Sequence, residues 1–108
     1  MAFNYKVLAQ DSTGASNTNI YTAPSSSQVI VSTITVANIS TSAGSYRIAV
    51  RPNGATLANK HYIAYDVPIA ANNTVALTLG LTIDAADVIT TYGSSSSIVF
   101  NVYGSEII

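Results

Sequence analysis

The sequence predicts an all-β domain, a single antiparallel β-sandwich of about seven or eight strands with jelly-roll-like or Greek-key connections. Three observations carry that expectation. Short runs rich in Val, Ile, Thr and Tyr alternate apolar with polar residues, the period of a strand with one covered face. Clusters of Gly, Pro, Asn, Asp and Ser interrupt those runs at regular spacing. No segment sustains the 3.6-residue periodicity of an amphipathic helix.

Taken in chain order, residues 5–9 make the first strand candidate, and a polar stretch with Asp11, Ser12, Gly14, Ser16 and Asn17 follows. Residues 1–19 therefore read as an N-terminal strand and a polar arm or loop, and residues 20–108 as the β-sandwich, one domain overall. An arm of that composition buries too little apolar surface to order alone and would order against a neighbour. Residues 20–22 form a short strand before Pro24. Residues 28–39 carry β-branched side chains on both faces, which predicts a central strand covered on both sides and bent at Ser32 or Thr33.

In the next run Tyr46, Ile48 and Val50 share one face, and Arg47, Ala49 and Arg51 the other. Pro52 ends it by withholding an N–H, and Asn53-Gly54 tolerates the positive φ of a tight turn. Further on, His61, Ile63, Tyr65 and Val67 fall on one strand face, with Tyr62 and Asp66 on the opposite one. Val75, Leu77, Leu79, Leu81 and Ile83 alternate over a run long enough that Gly80 marks a bulge or bend. Asp84 to Asp87 makes a turn or a single helical turn. Residues 88–92 and the set Ile98, Phe100 and Val102 supply the last strands. Thr13-Gly14, Ser42-Ala43-Gly44, residues 70–73 and the serine-rich residues 93–97 provide the remaining turns.

Composition narrows the function classes. Asp, Glu, Lys and Arg make up 8% of the chain, against about 25% in ordinary domains. The outer surface is thus left to Ser, Thr, Asn and small apolar residues, which suits a protein packed into an assembly. The net charge is −1 and there is no basic block, so neither a nucleic-acid face nor an anionic-membrane face is expected. The chain has no cysteine, in keeping with synthesis in a reducing cytoplasm. Residues 1–6 lack the basic start and apolar run of a signal peptide, and no apolar run reaches membrane-spanning length.

Candidate chemistry is sparse. His61 is the only histidine. Strand parity puts Asp66 on the face away from it, and no serine stands in a Gly-x-Ser-x-Gly elbow. His61 therefore reads as a partly buried or interface residue. Asp84 and Asp87 are close enough to share a Ca²⁺ with loop carbonyls but match no EF-hand, and read as turn formers. No catalytic residue, cofactor or metal is expected, and the chain is not read as an enzyme. Asn38-Ile39-Ser40 and Asn72-Asn73-Thr74 fit the glycosylation pattern, which carries little weight without a secretory signal.

The seven tyrosines are more informative, because a phenol buries a large body while keeping a polar tip. Tyr46 and Tyr92 are expected in the core, and Tyr5, Tyr62 and Tyr103 at subunit interfaces. Exposed tyrosines beside asparagines also suit sugar binding. Arg47 and Arg51 are expected either on a solvated outer face or paired with carboxylates across a subunit contact.

Several runs resemble a protein family. They are Tyr21-Thr22-Ala23-Pro24, residues 32–38 (STITVAN), 46–52 (YRIAVRP), 60–66 (KHYIAYD), 69–74 (IAANNT), the apolar run to Ile83, and Gly104-Ser105-Glu106-Ile107. Together, from about Lys6 onward, they resemble small β-sandwich virion structural proteins of tailed bacteriophages of the marine and cyanobacterial type. The resemblance implies a non-enzymatic, homo-oligomeric virion protein, a capsid cement or decoration protein or another multi-copy particle subunit, whose partners are capsid or tail subunits. It leaves open a neck, tail, baseplate or fibre-associated adaptor, or a carbohydrate-binding adhesion module for a host surface glycan. It transfers no functional residue.

Overall fold

The computed structural model describes residues 2–12 and 14–108. Thr13, half of the expected Thr13-Gly14 turn, lies outside the described residues, as does Met1. Eight strands lie among the described residues: β1 (Phe3–Asp11), β2 (Thr18–Thr22), β3 (Gln28–Asn38), β4 (Gly44–Arg51), β5 (Tyr62–Ile69), β6 (Thr74–Asp84), β7 (Val88–Gly93) and β8 (Ile98–Ile107). Two 3₁₀ turns, Pro52–Gly54 and Asn59–His61, sit in the β4–β5 connection.

The strands form two four-stranded sheets, sheet one in the order β1-β8-β3-β6 and sheet two in the order β2-β7-β4-β5. Every neighbouring pair is antiparallel. The pairs β1·β8, β2·β7, β3·β6 and β4·β5 describe one long hairpin with its tip at β4–β5. Rolling that ribbon up brings β3 beside β8 and β4 beside β7, which is jelly-roll connectivity. The expected all-β sandwich is thus present, and of its two expected topologies the chain takes the jelly roll.

The core lies between the inner faces. Val29, Val31, Ile34 and Val36 from β3 meet Ile98, Phe100 and Val102 from β8, and Tyr46, Ile48 and Ile89 close over them from sheet two. The Phe100 ring packs edge-on to Tyr46 with centroids 6.4 Å apart. Each aliphatic or aromatic side chain fully withdrawn from water here contributes about 1.5–3 kcal/mol. The alternation of β8 and the inward facing of Tyr46 and Ile48 agree with the period-two reading.

The strands depart from that reading where register slips. β1 is longer than residues 5–9 and pairs with β8 almost throughout. The polar stretch after it, apart from Thr13, connects the two sheets and holds the Gly14 carbonyl, which accepts the Gly93 N–H. β3 is central, and its pairing shifts between Val31 and Thr33 at the expected bend. Its outer side is not covered, however, and Ile30 is 40% exposed. In β6 the slip falls at Gly80, whose φ is +62°. That extra residue pushes Leu79 out of the alternation onto the surface.

β5 contradicts its expected facing. Ile63 and Tyr65 are exposed, while Ala64, Val67 and Ile69 face the core. The pairing with β4 slips twice along this strand, and Asp66 takes a left-handed φ of 49°. One inserted residue reverses every side chain beyond it. His61 belongs to the 3₁₀ turn ahead of the strand, so strand parity does not govern it.

Asp84 and Asp87 form their turn as expected, and Asp87 also ties it to the distant Asn53. Asp87 accepts the Asp84 N–H at 2.8 Å and the Asn53 N–H at 2.7 Å, and Asp84 accepts the Ala85 N–H at 2.9 Å. This is a turn rather than a helical one, since Ala86 has a φ of 69°. Asn38 is buried, and its carboxamide donates to the Ser42 carbonyl at 2.8 Å.

Candidate functional site

Two outward faces and the seam between the sheets carry the residues with chemistry to offer. On sheet one the register sets three rows across β3, β8 and β1: Gln28–Ile107–Phe3, Ile30–Ser105–Tyr5 and Thr33–Tyr103–Val7. Ser105 is the short side chain in the middle row, so the longer neighbours rise around it. The result is a trough of about 390 Å³ lined chiefly by Phe3, Tyr5, Ile30, Tyr103 and Ile107. Tyr5 is 80% exposed and Phe3 54%. The Ser105 hydroxyl is buried and has no hydrogen-bond partner among the described residues. Beside it, Gly104 lets β8 approach β3, because a methyl group there would collide with the Ile30 carbonyl oxygen.

Sheet two presents a different face. The Arg47 guanidinium lies between two rings, 4.4 Å from the Tyr65 centroid and 4.3 Å from that of Tyr92. Its Nε donates to Asp66 Oδ1 at 2.6 Å and its Nη2 to Oδ2 at 3.3 Å, a two-point grip suited to a planar guanidinium. The hydrogen bond to Asp66 raises the Arg47 pKa further above its ordinary value. The Tyr65 ring also meets that of Tyr62, near perpendicular with centroids 4.9 Å apart. Asn59, Tyr62 and Tyr65 line an open cleft of about 490 Å³. Further along, Asn19 Oδ1 accepts from Arg51 Nη2 and from the Thr90 hydroxyl, each at 3.0 Å.

The seam is a buried carboxylate. Glu106 on β8 accepts the Tyr21 hydroxyl from β2 at 2.6 Å and lies 2.9 Å from the Lys6 ammonium. The Tyr21 hydrogen bond, then that of Lys6, holds Glu106 below the usual glutamate range despite its burial. Burial first, and Glu106 second, push the Tyr21 phenol up.

Of the residues expected at interfaces, Tyr5 and Tyr103 flank the trough, and Tyr62 lines the opposite cleft. Arg47 and Arg51 both face outward, but Arg47 finds its carboxylate within its own chain rather than across a subunit contact. Tyr92 is not in the core; its register partner is Arg47, so both point outward. Tyr62 and Tyr65 do not straddle two faces; their rings touch, and Asp66 joins the same cluster because its left-handed backbone undoes the alternation. The meeting of Tyr65 and Asp66 escaped sequence reasoning for that reason, and Asn59 because it sits in the 3₁₀ turn ahead of the strand. The one signal for the tyrosines and Asp66 was the short spacing in Tyr62-Ile63-Ala64-Tyr65-Asp66. Ile30, Ile107 and Ser105 were missed because nothing local says that three distant strands will align them. His61 is buried, with Nδ1 accepting the Ala58 N–H at 3.0 Å.

Among the described residues no group of three or more His, Cys, Asp or Glu is placed to hold a metal ion, and no helix is long and apolar enough to cross a membrane. Comparison with protein-family models, with curated proteins and with solved structures finds no match to this chain.

Proposed function

We propose that this chain is a non-enzymatic structural subunit of a tailed-phage virion, present in many copies, that cements or decorates the capsid by docking the outer face of sheet one against a neighbouring subunit. The observation that carries this reading is the apolar trough with its exposed Phe3, Tyr5 and Ile30. Exposed apolar area of this kind favours burial against a partner. The matching surface is an apolar one that fills the trough.

The area supports a multi-copy arrangement. Four strands about 4.8 Å apart and roughly 30 Å long give on the order of 570 Å² per partner, or about 1,100 Å² in total, the low end of stable interfaces. Many such contacts on one particle add avidity to a modest single affinity. The free edge of β1 offers main-chain hydrogen bonds as well. The same contact physics would serve a neck, tail, baseplate or fibre-associated adaptor.

Antibody-gold labelling of purified particles separates these positions. Label spread over the head is the expected result; label confined to the neck, tail or fibres moves the subunit there. Absence of the chain from particle mass spectra overturns the reading. The Tyr5→Asp variant keeps its fold, because Tyr5 is 80% exposed, and its incorporation into particles drops about tenfold or more.

A further inference from the structure

We propose that the cleft formed by Asn59, Tyr62 and Tyr65 binds a neutral hexose unit of a polysaccharide. The site lies on sheet two, away from the docking face, and the inference does not depend on the virion reading.

The two phenol rings stand at 82° with centroids 4.9 Å apart, so they form a corner. One ring wall can lie against the C–H face of a pyranose while the other borders its hydroxyl edge. No hydrogen bond within the described residues engages the Asn59 carboxamide or the hydroxyls of Tyr62 and Tyr65. A donor-acceptor amide and two phenols therefore surround an apolar corner, the pattern that fits a ligand with an apolar face and a hydroxylated rim. The volume, about 490 Å³, falls within the roughly 300–1,000 Å³ of small-ligand sites. Because the cleft is open, a longer chain can run out of it.

The platform is held in place before any ligand arrives. Arg47 stacks on Tyr65, Tyr92 backs Arg47, and Asp66 grips the guanidinium edge. Such pre-organisation lowers the ordering cost of binding. It also decides the ligand's charge. Both faces of the Arg47 guanidinium are covered by rings and its charge is answered by Asp66, and none of the three lining side chains is charged. A neutral sugar fits better than a sulfated or carboxylated one.

The test is a two-dimensional NMR titration of the whole chain with maltohexaose, cellohexaose and mannohexaose, and with a heparin hexasaccharide as the anionic comparator. Shift changes centred on Asn59, Tyr62 and Tyr65 with at least one neutral hexaose are expected. Tyr65→Ala should weaken that binding about tenfold, and Tyr5→Ala on the opposite face should leave it unchanged. Asn59→Ala provides a second variant that leaves the rings intact, with a loss of about threefold to tenfold. No response to any neutral hexaose overturns the proposal, as does a response confined to heparin or one that survives Tyr65→Ala. So does a Tyr65→Ala variant that loses self-association in sedimentation while the parent binds no sugar, since the cleft would then be a protein contact.

Discussion

The outer face of sheet one sets Phe3, Tyr5 and Ile30 around a hydroxyl with no partner, whereas the outer face of sheet two sets Arg47 on Asp66 and Arg51 on Asn19. Both faces belong to four-stranded sheets built on the same inner alternation. They differ in where their polar groups find partners. Sheet two ties Arg47 to Asp66 and its flanking tyrosines, and Arg51 to Asn19, although Arg51 Nε stays buried without a partner among the described residues. Sheet one leaves the rings of Phe3 and Tyr5 and the side chain of Ile30 in water, and closes the Ser105 hydroxyl beneath them without a partner.

Breaking the trough from beneath should have the largest effect. Gly104→Ala forces β8 away from the Ile30 carbonyl in the centre of sheet one, at a cost of about 3 kcal/mol. A clear fall in the urea midpoint is expected; an unchanged midpoint would show that the two strands can part without loss.

Acid should act next, through the seam that ties the two sheets. The folded pKa of Glu106 lies below its ordinary 4.5. Its stabilisation is therefore fully present above about pH 4.5 and declines as pH falls through the lower folded value. Melting temperatures measured from pH 7 down to 2 should drop across that window. Glu106→Gln should flatten that part of the profile, and a profile identical in the two proteins would remove Glu106 from the account.

The smallest effect sharpens the comparison most. Ser105→Ala removes an unpaired buried hydroxyl and should stabilise the isolated chain by up to about 1 kcal/mol. The same variant should leave docking through the trough unchanged, because a hydroxyl closed to water is closed to a partner as well. A lowered urea midpoint would mean that the hydroxyl has a partner in the folded chain.

Much of the fold was legible in local patterns. Ile98, Phe100 and Val102 face the core as their spacing implies, Pro52 ends β4, and Gly80 marks the slip in β6. The outer surfaces were less legible. Arg47 could be placed outward, but not beside Asp66, because one left-handed residue in β5 reverses the facing that alternation implies. Tyr92 was expected inside, although its register neighbour points out. Glu106 looked like one scattered acid among five.

What the sequence determined by itself is an all-β chain, its principal turns and much of its core, since strand alternation and turn chemistry act over a few residues. The tertiary structure decided the jelly-roll order, the side on which β5 displays its tyrosines, and the meeting of Tyr21 with Glu106 across 85 positions of chain. Those outcomes rest on inter-strand register, and register is set by bulges and by strands far apart in sequence whose packing no local pattern encodes.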